Sequence, residues 1–63
     1  MLKLNEANQF EDDDKGALGI VVSRKRGRWQ YRDVDSGVLY ASGMDPAAFA
    51  KRFWMRDDFV ATA

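Results

Sequence analysis

RKRGRWQYRDVDSGVLYASG, residues 24–43, sets five basic side chains around Trp29 and Tyr31 and carries two glycine-marked turns ahead of a helix start at Asp45-Pro46. From Arg28 to Asp33 charged or polar residues alternate with aromatics, which is the period of a half-buried strand. Upstream, Ala17–Ser23 (ALGIVVS) is β-branched and bounded by Gly16 and the RKRG cluster, so it reads as a second strand. Val38–Ser42, after the Asp35-Ser36-Gly37 turn, reads as a third. With Arg24–Gly27 as a four-residue hairpin loop, Ser23 pairs with Arg28, Val22 with Trp29 and Ile20 with Tyr31. Leu18, Ile20, Val22, Trp29 and Tyr31 then share a core face, with Tyr40 assigned inward beside them. Gly19, Val21, Ser23, Arg28, Gln30 and Arg32 share the opposite face.

The helix boundary is the best marked. Asp45 is suited to cap free N–H groups, and Pro46 has no N–H to leave unsatisfied. Met44 and Phe49 are spaced as a hydrophobic staple, and Phe49, Ala50, Phe53 and Trp54 form an apolar stripe that needs a sheet beneath it. The expected architecture is α+β: a three-stranded antiparallel sheet packed on one C-terminal helix (βββα), with the other sheet face open. Residues 1–15 are expected to be an acidic, loosely docked N-terminal arm and residues 16–63 the single domain. In 1–14 one lysine stands against Glu6, Glu11, Asp12, Asp13 and Asp14. Leu2, Leu4 and Phe10 are the arm's available tethers, and Phe59 and Val60 in the tail either fold back or meet a partner.

Composition narrows the function. The chain has 63 residues, no Cys, no His and a formal net charge of zero, yet residues 15–32 hold six Lys or Arg and no acid. Without Cys or His there is no disulfide framework, no thiolate or imidazole metal site and no histidine acid–base chemistry. Asp12-Asp13 and Asp57-Asp58 fall in loops without a pocket to perturb them, so the expectation is a non-enzyme with no catalytic residue, no cofactor and no metal. No apolar run is long enough to span a membrane and the start lacks a secretory pattern, which points to a cytoplasmic protein with no membrane partner.

Gly27, Trp29, Tyr31-Arg32-Asp33, Ser36-Gly37, Gly43 and the alanine-rich helix from Asp45-Pro46-Ala47-Ala48 resemble, in order and spacing, the amino-terminal arm-binding domains of lambda-type phage integrases and the related plant AP2-type DNA-binding domains. The resemblance spans residues 17–56. It implies a three-stranded sheet laid in the major groove, with Arg28, Gln30 and Arg32 facing bases and Arg24, Lys25 and Arg26 contacting phosphates. Arginine and glutamine have the donor geometry for guanine and adenine edges, and basic hairpin residues suit phosphates.

The function expected from these features is a small free-standing DNA-binding protein of phage or mobile-element type, with duplex DNA as partner. The rival expectation is a protein-binding module, such as a phage-encoded inhibitor of a host or defence complex of the anti-CRISPR kind, with no nucleic-acid contact. Trp54 and Phe59 would be its apolar partner patch. A homodimer formed through an exposed sheet edge is a third possibility.

Overall fold

Leu2, Phe10, Ile20, Val22, Tyr31, Phe49 and Ala50 are each at most 4% exposed and form one core. Two of the seven lie in the segment expected to be a loose arm. The computed structural model describes residues 1–61; Thr62 and Ala63, the last of the expected 16–63 domain, lie outside the described residues. Along the chain run β1 (Leu2–Leu4), β2 (Gln9–Asp12), β3 (Gly16–Lys25), β4 (Arg28–Asp33), β5 (Leu39–Ser42), α1 (Pro46–Trp54) and β6 (Phe59–Val60).

These strands make a six-stranded sheet in the order β5-β4-β3-β2-β1-β6. Neighbours are antiparallel except β1 and β6, which are parallel. This corrects the expected three-stranded sheet on a C-terminal helix. The helix is present, but it crosses one sheet face from the β5 edge, and the chain then returns as β6 beside β1.

The reason lies in the apolar stripe of α1. Phe49 stacks on Tyr31 at 4.1 Å between centroids and 6° between planes, and Phe10 sits 5.6 Å from Phe49 and 5.0 Å from Trp54. Three strands alone would leave Trp54 and half of that stripe in water, and a domain this short has little apolar area to forgo. Leu2, Phe10 and Phe59 supply the missing floor, paired as Leu2↔Phe59 and Leu4↔Phe10 across β6, β1 and β2. The acidic arm is therefore a hairpin of the sheet.

The acidic composition concealed a second feature. Asp12 is buried, and Arg56, just past the helix, donates to it at 2.6 Å. The same guanidinium clasps Asp58 through Nε at 2.9 Å and Nη2 at 2.7 Å. The Arg56 hydrogen bonds hold the Asp12 carboxyl below the ordinary carboxylate range and bring that of Asp58 down to about 2. At Asp33 the N–H of Ser36 acts in the same direction. A depressed folded pKa adds stability that is complete above the unfolded value and is lost as pH falls through the folded one. The melting temperature is therefore expected to be level above about pH 5 and to fall between about pH 4 and pH 2. Arg56→Ala should lower it at pH 7, because buried Asp12 loses its closest partner and keeps only the amino terminus at 3.7 Å and the Asp14 N–H at 3.2 Å, and should flatten the acid limb. Circular dichroism melts from pH 2 to 7 on both proteins check this.

Asp45 caps α1, its Oδ1 accepting from the Ala48 N–H at 2.8 Å, with Pro46 in the first turn as the sequence implies. Tyr31 donates its hydroxyl to the Met44 carbonyl at 2.6 Å, tying β4 to the loop that enters the helix.

Candidate nucleic-acid interface

β3 and β4 meet in a tighter hairpin than the sequence reading supposed. Val22 faces Tyr31, Arg24 faces Trp29 and Lys25 faces Arg28, so the loop is only Arg26-Gly27. Both loop residues have positive φ, 54° and 77°, as a type I′ turn requires. The difference from the four-residue loop is a register shift of two, and an even shift leaves every side chain on its original face. Arg28, Gln30 and Arg32 accordingly remain opposite the helix, joined there by Lys25. Arg24, in register with Trp29, lies instead on the helix side.

This hairpin outruns its neighbours. On one side the last tie is the Val22 N–H to the Asn8 carbonyl at 2.7 Å; on the other it is the Gly43 N–H to the Trp29 carbonyl at 2.8 Å. Beyond them Ser23–Arg28 pair only with each other, a two-stranded ribbon projecting roughly 10 Å at about 3.3 Å per residue.

Arg24 holds its guanidinium carbon 4.5 Å over the Trp29 ring and donates to the Gly27 carbonyl at 3.2 Å. Arg28 reaches Ser42 Oγ at 3.4 Å, and Arg32 donates to the Gly37 carbonyl at 3.0 Å. Gln30 is half-buried between Ser23 and Ser42, its Oε1 covered and without a hydrogen-bond partner. Among the described residues none of Arg24, Lys25, Arg26, Arg28 and Arg32 forms a salt bridge, whereas Lys3 and Arg56 both do.

Asp12, Asp13 and Asp58 gather around the chain's amino terminus at the far end of the long strand, whereas Glu6, in the β1–β2 turn, and Asp45, beside Trp29, lie near the ribbon's base. Asp12 pairs with Gly16 at the start of β3, nine residues before Lys25, or roughly 30 Å away. The turn carrying Asp33 and Asp35 sits at that same end, fixed by the Val34 N–H to the Gly19 carbonyl. The zero net charge thus conceals an acidic excess at one end, partly offset by Lys3 and Arg56, and a basic ribbon at the other end of a molecule 30 Å long.

No family model, curated protein or solved structure matches the chain. The assignment of a site therefore rests on chemistry. β3, β4, β5 and α1 follow one another along the chain, but as part of a six-stranded mixed sheet and not the three-stranded sheet that the integrase and AP2 resemblance implies.

Two local costs are concentrated at the ribbon tip. Arg26 adopts the left-handed conformation that Asn or Gly takes far more readily, and Lys25 and Arg28 oppose like charges across the strands. Arg26→Asn is expected to stabilise the fold by about 1 kcal/mol, measured by urea denaturation. Neither cost is repaid by a contact within the fold, and costs of this kind collect at functional sites.

Trp54 and Phe59, the expected partner patch, are half-buried on Phe10, at 5.0 and 5.6 Å. The exposed apolar side chains of this region are Tyr40, Phe53 and Met55. Tyr40 does point to the helix side, but at the rim, 5.5 Å from Phe53. Among the described residues no acidic cluster is arranged to hold a metal, and no helix is long and apolar enough to cross a membrane.

Proposed function

We propose that this chain binds duplex DNA through the projecting β3–β4 ribbon and the adjoining open face of the sheet. The observation that carries the reading is the set of four cations, Arg24, Lys25, Arg26 and Arg28, on a ribbon whose tip is strained and self-repelling, continued by Arg32 on the open face of β4, all five unpaired with carboxylates among the described residues. The major groove of B-form DNA admits a two-stranded ribbon. Arg24, Lys25 and Arg26 then meet phosphates near the tip, while Arg28 and Arg32 face base edges from β4 and Gln30, whose Oε1 is covered, lies between them on the same face. The acidic pole lies at the far end of the molecule, which lowers its repulsion of the DNA at physiological salt. A phage or mobile-element protein acting in the cytoplasm fits this reading.

Fluorescence anisotropy with a mixed-sequence duplex tests it. Micromolar or tighter binding at 50 mM salt that weakens steeply by 200 mM supports the proposal, and no binding at 50 mM removes it. One observation favours a second reading as a protein-binding module: the molecule presents an acidic pole and the exposed Tyr40, Phe53 and Met55 together with its basic end. Such a module, for instance an inhibitor of a host or defence complex, would give no DNA signal at either salt.

A further inference from the structure

β5 lies at one edge of the sheet with β4 on one side and no strand on the other, so half of its backbone N–H and C=O groups face outward. Edge strands usually carry a charge or a proline against unwanted pairing; residues 37–44, GVLYASGM, carry neither. Val38 is 55% exposed, and Leu39, Tyr40 and Phe53 are 45–48% exposed. The opposite edge, β6, is only two residues long.

The side chains along this edge are arranged for company. A register irregularity between β4 and β5 falls at Tyr40, which turns to the helix side and meets Phe53. Beneath the pair lies a groove of about 190 Å³ lined by Tyr40, Ala41, Met44, Phe49, Arg52 and Phe53. Leu39, paired with Arg32, shows on the open face. Charge is unequal at the two ends of the strand. Asp33 and exposed Asp35 stand before it and outnumber Arg32, which donates to the Gly37 carbonyl, whereas Arg28, with Nε on Ser42, and Arg52, lining the groove toward Met44, outnumber Asp45 at its last residues.

We infer that β5 is a self-pairing edge, joining two copies of this chain in antiparallel register about a two-fold axis at Tyr40. Antiparallel pairing brings the Asp35 end of each copy to the Arg28 and Arg52 end of the other, and so matches opposite charges at both ends of the seam. A parallel pairing would set like against like. Centring on Tyr40 pairs all of Val38–Ser42, seats the Tyr40 and Phe53 rings of each copy at the other's groove, and keeps both helices on one side of a continuous sheet. An apolar strand edge, a self-complementary groove and end-to-end charge reversal are what an isologous interface requires.

Because the chain has no Cys, introduced thiols report the register directly. At about 100 µM the full chain is expected to show the mass of two chains by light scattering and a melting temperature that rises with concentration. Tyr40→Cys should form a disulfide-linked pair under mild oxidation, since residues at the axis approach within the ~7 Å that a disulfide spans. Val38→Cys should not, because the two copies of residue 38 are then about four residues, or ~13 Å, apart along the seam. Leu39→Lys with Tyr40→Lys should give a folded monomer whose melting temperature is independent of concentration. A monomeric wild type at 100 µM overturns the inference, as does a dimer that survives the lysine pair or links through residue 38 instead of residue 40. DNA anisotropy is a separate readout, so failure of one reading does not decide the other.

Discussion

Phe10→Ala is expected to abolish the cooperative folding transition, or to leave one so weak that much of the protein is unfolded at 37 °C. Phe10 is fully buried, and its ring lies 5.0–6.1 Å from those of Tyr31, Phe49, Trp54 and Phe59, so it joins both sheet halves and the helix. Truncating a buried Phe to Ala costs about 3–5 kcal/mol. A chain of this length has roughly 3–9 kcal/mol of stability in total, at about 0.05–0.15 kcal/mol per residue. Urea titration followed by circular dichroism is the check, with exposed Glu6→Ala as a control that should stay within about 0.5 kcal/mol of wild type. A Phe10→Ala protein less than about 1 kcal/mol weaker would mean that β1 and β2 are a dispensable arm after all.

Phe10 also shows where the sequence was legible and where it was not. Strong periodic signals gave the right elements: ALGIVVS and RWQYRD are strands, and Asp45-Pro46 opens a helix. Faces survived even a mistaken loop length, because the error was even. Leu2 and Leu4 alternate as in a short edge strand, but N-terminal strands of three and four residues carry too little pattern to dock the whole arm, and four acids in a row read as solvent-exposed. Nothing local marks Asp12 as buried; its partner Arg56 is 44 residues away. β6 is two residues and exists only because β1 is there to receive it. For the candidate site, Arg28, Gln30 and Arg32 could be assigned to one face by parity alone. The projection of the ribbon could not, since it depends on where β2 and β5 stop. The clamp of Arg24 on Trp29 required the true register, which Arg-Gly, an unusual type I′ pair, did not announce.

The largest functional effect should come from removing charge at the ribbon tip. If all five cations of the ribbon and β4 displace counterions, binding falls with salt at a log–log slope of about −4.5, or about 500-fold between 50 and 200 mM. The triple variant Arg24→Gln, Lys25→Gln, Arg26→Gln retains Arg28 and Arg32, for a slope of about −1.8 and a loss of only about 12-fold over the same interval. Its affinity at 50 mM should already be weaker by two orders of magnitude or more, since each lost phosphate contact withholds its counterion release. The paired control is Lys15→Gln with Lys51→Gln, which also makes the net charge negative but alters exposed residues off the ribbon. A general response to net charge would move both slopes together, whereas a ribbon-borne site moves only the first. Equal slopes in wild type and the triple variant would place any DNA contact elsewhere and leave the strain at Arg26 without this explanation. A steep wild-type slope, a shallow one in the triple variant and an unchanged one in the control would show that the strained, like-charged turn is kept for the phosphates it meets.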